Sequence, residues 1–77
     1  MTAFTYAHPA KERVSLAVYD LTGRHVRTLV DGVQGPERRT IAWDGTDDRG
    51  ASLASGIYIV RYQAGERVLT KRATLIR

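Results

Sequence analysis

Apolar and polar residues alternate in steps of two along most of this chain, the period of a β-strand whose side chains point to opposite faces. Thr2 to Ala7 sets Phe4 and Tyr6 against small and polar neighbours and predicts a short first strand. His8-Pro9-Ala10-Lys11 breaks it, because Pro9 has no N–H for a ladder, and His8 is expected as an exposed loop residue. Arg13 to Asp20 is the clearest strand, with Val14, Leu16 and Val18 on one face and Ser15, Ala17 and Tyr19 on the other. Asp20-Leu21-Thr22-Gly23 predicts a turn, since an Asp carboxylate accepts from backbone N–H groups ahead of it and Gly tolerates positive φ. Arg24 to Asp31 returns as a strand. Val26 and Leu29 stand an odd number of positions apart, so either a bulge between them or cover on both faces is expected.

Gly32 to Pro36 reads as a second loop and Glu37 to Asp44 as a further strand, with Ile41 and Trp43 inward and Arg38, Thr40 and Ala42 outward. Alternation then stops and resumes only in Ile57 to Ala64, where Tyr58, Val60 and Tyr62 share a face. Inside the gap, Asp44-Gly45 and Arg49-Gly50 read as turns and Ala51 to Ala54 as a short edge strand. Ala64-Gly65-Glu66 predicts a tight hairpin, and Arg67 to Ile76 closes the chain with Leu69, Ala73 and Leu75 inward. No stretch has the period of an amphipathic helix. Six long strands and one short one, about seven in all, predict an all-β fold, an antiparallel β-sandwich or small barrel.

A chain of 77 residues is expected to form one domain, residues 1–77. At this size only about 60% of the unfolded surface is buried, which leaves little room for a deep active-site cavity. The absence of cysteine removes both a disulfide staple and a thiolate metal site. No apolar run approaches the roughly 20 residues of a membrane helix, so no membrane insertion is expected. The net charge of +4 comes from ten Arg and two Lys against eight acids. These cations are scattered over strand ends and outward positions, which suits solvated faces and protected edges (Arg38, Arg39, Arg67, Lys71, Arg72) rather than a nucleic-acid stripe.

The one acidic cluster is Asp44, Asp47 and Asp48. Such a loop is a candidate for Ca²⁺, which takes several oxygen ligands, but the spacing departs from the regular calcium loop and no bidentate Glu follows. Turn chemistry around Gly45 and Gly50 is the favoured reading of the same acids. Trp43, Tyr58 and Tyr62 suit either a sugar-stacking platform or a core; aromatics alternating with aliphatics in long strands favour the core. Tyr19, opposite Val18, is the aromatic expected outside. Ser15, Ser52, Ser55, His8 and His25 fall in no nucleophile motif, and no phosphate-cradling loop occurs, so no catalytic residue and no cofactor is expected.

The runs VSLAVYDLTGRHVRTLVDG, IAWDGTDDRGASLASGIYIVRYQAG and TKRATLI together closely resemble a bacterial immunoglobulin-like module. That module occurs in flagellar hook-capping proteins and at the C-termini of large secreted bacterial proteins, and the C-terminal sorting domain of the type IX (Por) secretion system is a near relative. The resemblance rests on Tyr19-Asp20 with Gly23-Arg24, Trp43-Asp44-Gly45, Asp47-Asp48 with Gly50, Gly56 with Tyr58, and a basic residue near the end, Lys71 or Arg72. It implies a seven-stranded immunoglobulin-like sandwich without disulfide, placed last in a longer secreted or surface protein. It also implies Gly56, Tyr58 and Lys71 as the sorting motif, and protein partners, either secretion machinery or neighbouring subunits. Three roles follow as expectations: export or surface attachment, subunit assembly as in hook capping, and polysaccharide or polyanion binding through Tyr19 and the arginines.

Overall fold

The computed structural model describes residues 2–8 and 10–76, with His8 described at its backbone alone. The expected break at Pro9, the loop placement of the His8 side chain and the cation Arg77 lie outside the described residues. Six strands form: β1 (Thr2–His8), β2 (Glu12–Tyr19), β3 (His25–Gln34), β4 (Glu37–Trp43), β5 (Gly56–Ala64) and β6 (Arg67–Leu75). All pairings are antiparallel, and they make two sheets, β1-β4 and β3-β2-β5-β6. The fold is a sandwich of one large and one small sheet, with no helix among the described residues.

Alternation alone explains the centre of the large sheet. Val14, Leu16 and Val18 of β2 stand opposite Ala64, Tyr62 and Val60 of β5, and all six are buried. Ala73 and Leu75 of β6 extend this floor, and Trp43 of β4 closes it from the small sheet at 1% exposure. Phe4, Tyr6 and Ile41 of the small sheet pack against it in part. Full burial of a Val- or Leu-sized side chain stabilises by about 1.5–3 kcal/mol, so these central rows carry most of the folding free energy.

The structure corrects the sequence reading in several places. Six strands stand where about seven were expected, because Ala51 to Ala54 supplies only a single bridge, Thr46 to Ser52. Its backbone groups are engaged locally, with Asp47 N–H donating to the Ala51 carbonyl and Leu53 N–H to that of Gly45. Gly32 to Gln34 is strand, not loop, since β2 begins at Glu12 and offers Val14, Arg13 and Glu12 as partners. Only Gly35 and Pro36 are left to carry the chain from one sheet to the other. The His8 backbone continues β1, opposite Glu37. Ala17, expected outside, is buried because a methyl flanked by Thr28 and Arg61 on adjacent strands is shorter than either neighbour. Tyr19 is half-buried, its ring edge-on to His25 at 5.6 Å.

The odd spacing of Val26 and Leu29 is resolved by two bulges. The register jumps from Leu16 opposite Val30 to Ala17 opposite Thr28, and again from Val18 opposite Arg27 to Tyr19 opposite His25. Leu29 and Val26 are the two extra residues. One insertion each resets the face, so both end against the core: Val26 is 6% exposed and Leu29 packs on the cluster.

Candidate functional site

The residues singled out by sequence gather around the connection between β4 and β5, residues 44 to 55. Two turns of one design face each other there. In 20–24, Asp20 N–H donates to the Arg24 carbonyl, Gly23 N–H donates to the Asp20 carbonyl, and Asp20 Oδ1 accepts from Thr22 and Arg24 N–H. In 47–51, the same four bonds recur between Asp47, Arg49, Gly50 and Ala51. Both place Gly fourth, at φ 87° and 83°, the left-handed region that only Gly enters at low cost. The pattern Asp-x-x-Gly thus folds twice from local chemistry alone.

Asp44 makes a shorter variant, its Oδ1 accepting from Thr46 N–H at 3.1 Å and Thr46 Oγ1 at 2.6 Å. The Thr46 hydroxyl, then its N–H, holds the Asp44 carboxyl below the ordinary carboxylate range, and the Thr22 hydroxyl with the Arg24 N–H does the same for Asp20. Asp48 points elsewhere. Its N–H donates to the Val26 carbonyl at 3.0 Å and its Oδ1 accepts from Thr28 N–H at 2.9 Å, so one residue covers the start of the outer edge of β3. His25 Nδ1 and Arg27 Nε flank the same carboxylate at 3.9 and 4.0 Å. Arg27 also donates from Nη1 to Thr46 Oγ1 and the Asp47 carbonyl, both at 2.9 Å. The three carboxylates therefore accept from different backbone N–H groups, with Arg27 lying between them, and no metal-binding group of three appears among the described residues.

Two buried aromatics clamp the ends of this connection. Trp43 Nε1–H donates to the Thr46 carbonyl at 2.9 Å, and Tyr58 OH donates to the Ala54 carbonyl at 2.7 Å. Their rings meet edge to face at 5.4 Å. Both are inside, at 1% and 8% exposure, so the sugar-stacking platform does not exist on this surface. Gly56 opens β5 opposite Leu75, and Tyr58 stands opposite Ala73. Lys71 lies two positions further along the same row, opposite Val60, and is exposed. The three residues assigned to sorting thus line one ladder, with Tyr58 buried, Gly56 half-buried and Lys71 exposed.

A shallow cleft of about 370 Å³ lies between the twin turns, lined by Arg24, His25, Val26, Asp47, Asp48 and Arg49. It mixes cations with carboxylates and favours neither sign of ligand. Sequence reasoning missed the edge contact of Asp48 and the fork of Arg27, because each joins residues about twenty positions apart. The Arg27–Asp48 charge pairing was the one available signal.

No curated protein matches the chain. A family model does: the FlgD Ig-like domain matches residues 2–68, from β1 into the start of β6.

Proposed function

The chain belongs to the FlgD Ig-like domain family, and on that premise we propose that it is a non-catalytic module through which a larger secreted bacterial protein is exported or held at the cell surface. The observation that carries this reading is the family match, which spans five strands and enters the sixth. The side chains add to it. The carboxylates of the acidic cluster are engaged in hydrogen bonds, Asp44 and Asp47 within their turns and Asp48 on the edge of β3, and Lys71 is the exposed end of the Gly56–Tyr58 ladder that export machinery would touch. Fusion of the chain to a fluorescent reporter in a host with a working type IX system tests the proposal. The reporter is expected outside the cell, and replacement of Lys71 by Ala should reduce that fraction. A reporter retained in the periplasm would exclude the export reading.

A second reading, an assembly module packed on neighbouring subunits as in hook capping, is favoured by one observation. Val68 and Leu69 of β6 are 43% and 61% exposed, and apolar surface beside an open strand edge suits a protein partner. Polysaccharide binding would draw on Tyr19, which is half-buried against His25 and presents little stacking face.

A further inference from the structure

The two sheets are unequal, four strands against two, and the first part of β6, residues 67–72, is left exposed. On β6 the inward row is Leu69, Lys71, Ala73 and Leu75, opposite the inward residues Tyr62, Val60 and Tyr58 and the strand start Gly56. Ala73 and Leu75 are buried at 4% and 5%, whereas Leu69 is 61% exposed and Lys71 is also exposed. The cover therefore stops halfway along the strand. Over the uncovered half lies a groove of about 270 Å³.

The groove runs along two strand edges. Five consecutive residues of β1, Thr2 to Tyr6, line it, and consecutive side chains of a strand point to opposite faces, so it is the edge of β1 that faces the groove. Lys71 and Arg72, also consecutive, show the same for β6. β1 pairs with β4 alone and β6 with β5 alone, so each has a free side. Leu16, Val60 and Tyr62 line its base but are themselves buried, so the apolar surface open to an occupant is that of Leu69. Free strand-edge groups beside exposed apolar surface are the features by which a sheet takes up an added strand.

We propose that this groove receives an extended segment of a partner polypeptide, added as a third strand beside β1, with apolar side chains against Leu69 and acidic ones toward Lys71 and Arg72. Charge selects the occupant. From Arg67 to Ile76 the chain carries Arg67, Lys71 and Arg72 and no acid, and neither Lys71 nor Arg72 has an ion pair among the described residues. A second copy docking by the same side would bring two sets of these cations together, which disfavours self-pairing. An acidic strand meets them with opposite sign. The inference stands on the groove and does not depend on export.

The test uses an acetylated peptide of about seven residues alternating valine and glutamate, long enough to follow β1. Controls are the valine–lysine analogue and a valine–glutamate peptide N-methylated along one edge. Binding is followed by amide NMR shifts and hydrogen exchange. The acidic peptide should shift residues 2–6 and 69–72 and slow exchange at the alternate β1 amides that face away from β4. The lysine and N-methyl analogues should bind at least about tenfold more weakly, as should Lys71→Glu, whose exposed position leaves folding intact as judged by circular dichroism. Shifts elsewhere, equal binding of both charge variants, or no protection of β1 would overturn the proposal. Protection appearing without peptide as protein concentration rises would overturn it in favour of a second copy.

Discussion

Removing one hydrogen bond at either end of the β4–β5 connection tests how it is held. Replacing Trp43 by Phe removes the Nε1–H that reaches the Thr46 carbonyl at 2.9 Å and shrinks a side chain that is 1% exposed. The hydrogen bond contributes about 0.5–1.5 kcal/mol, and an acceptor left unsatisfied adds about 1 kcal/mol more. Loss of the larger ring leaves a void, for which a further 1 kcal/mol or so is reasonable when complete Trp truncation costs about 3–5 kcal/mol. The expected total is about 2–4 kcal/mol. Tyr58→Phe keeps its ring and loses only the bond to Ala54, an exposed residue whose carbonyl water can reach, so about 1 kcal/mol is expected. Because both bonds tie down one connection, releasing one end lowers the value of the other. The double variant should fall short of the sum by about 0.5 kcal/mol or more. Urea unfolding followed by far-ultraviolet circular dichroism measures all three, since Trp43 is the only Trp and its fluorescence is lost with it. Total stability for 77 residues is about 4–12 kcal/mol, so the larger loss is easily read. Additive losses, or a Trp43→Phe loss no greater than that of Tyr58→Phe, would refute the clamp.

The twin turns should respond alike: Gly23→Ala and Gly50→Ala each lose about 1–2 kcal/mol in thermal melts, since both glycines have positive φ and neither added Cβ meets an atom within 4 Å. A severe effect at one and none at the other would show that the turns are not equivalent. Asp20 and Asp44 have lowered folded pKa values against an ordinary 3.8, so the folded chain stays ionised where the unfolded chain binds protons. Their contribution is complete above that value and is lost as pH falls through the folded ones. Asp20→Asn and Asp44→Asn should therefore flatten the fall in stability between about pH 5 and pH 2 in guanidinium titrations, and curves parallel to the unsubstituted protein would exclude the assignment. Arg27→Lys keeps the charge but its ammonium ends one bond short of Nη1 and leaves no Nε beside Asp48, so faster hydrogen exchange at Thr28 and Asp48 is expected with a loss of about 1 kcal/mol. Unchanged exchange would mean the fork is not holding the connection.

The parts of this fold legible in sequence are those fixed by near neighbours. Period two located β2 and β5, and Asp20 to Gly23 and Arg49-Gly50 located the two turns, because each side chain there answers to residues within four positions. The misreadings share a different cause. Gly32 to Gln34 looks like loop until β2 is seen to supply its hydrogen bonds, and Ala17 looks exposed until Thr28 and Arg61 flank it. Asp48 reads as one more turn acid, yet it acts on Val26 and Thr28 across the fold. The groove had no local signature at all, since Leu69 and Lys71 continue the inward row and only the extent of the opposite sheet leaves them bare.

The cover that Asp48 lays over β3 bears on how copies of this protein meet when crowded. An endless ribbon needs head-to-tail contacts, the β6 border of one molecule joined to the β3 border of the next, repeated without closing. The β3 border is already engaged at Val26 and Thr28, and the bulges at Val26 and Leu29 bend it out of line for a newcomer. Head-to-tail growth of the large sheet is thereby hindered at the β3 border, where a newcomer would have to displace Asp48 and follow two bulges.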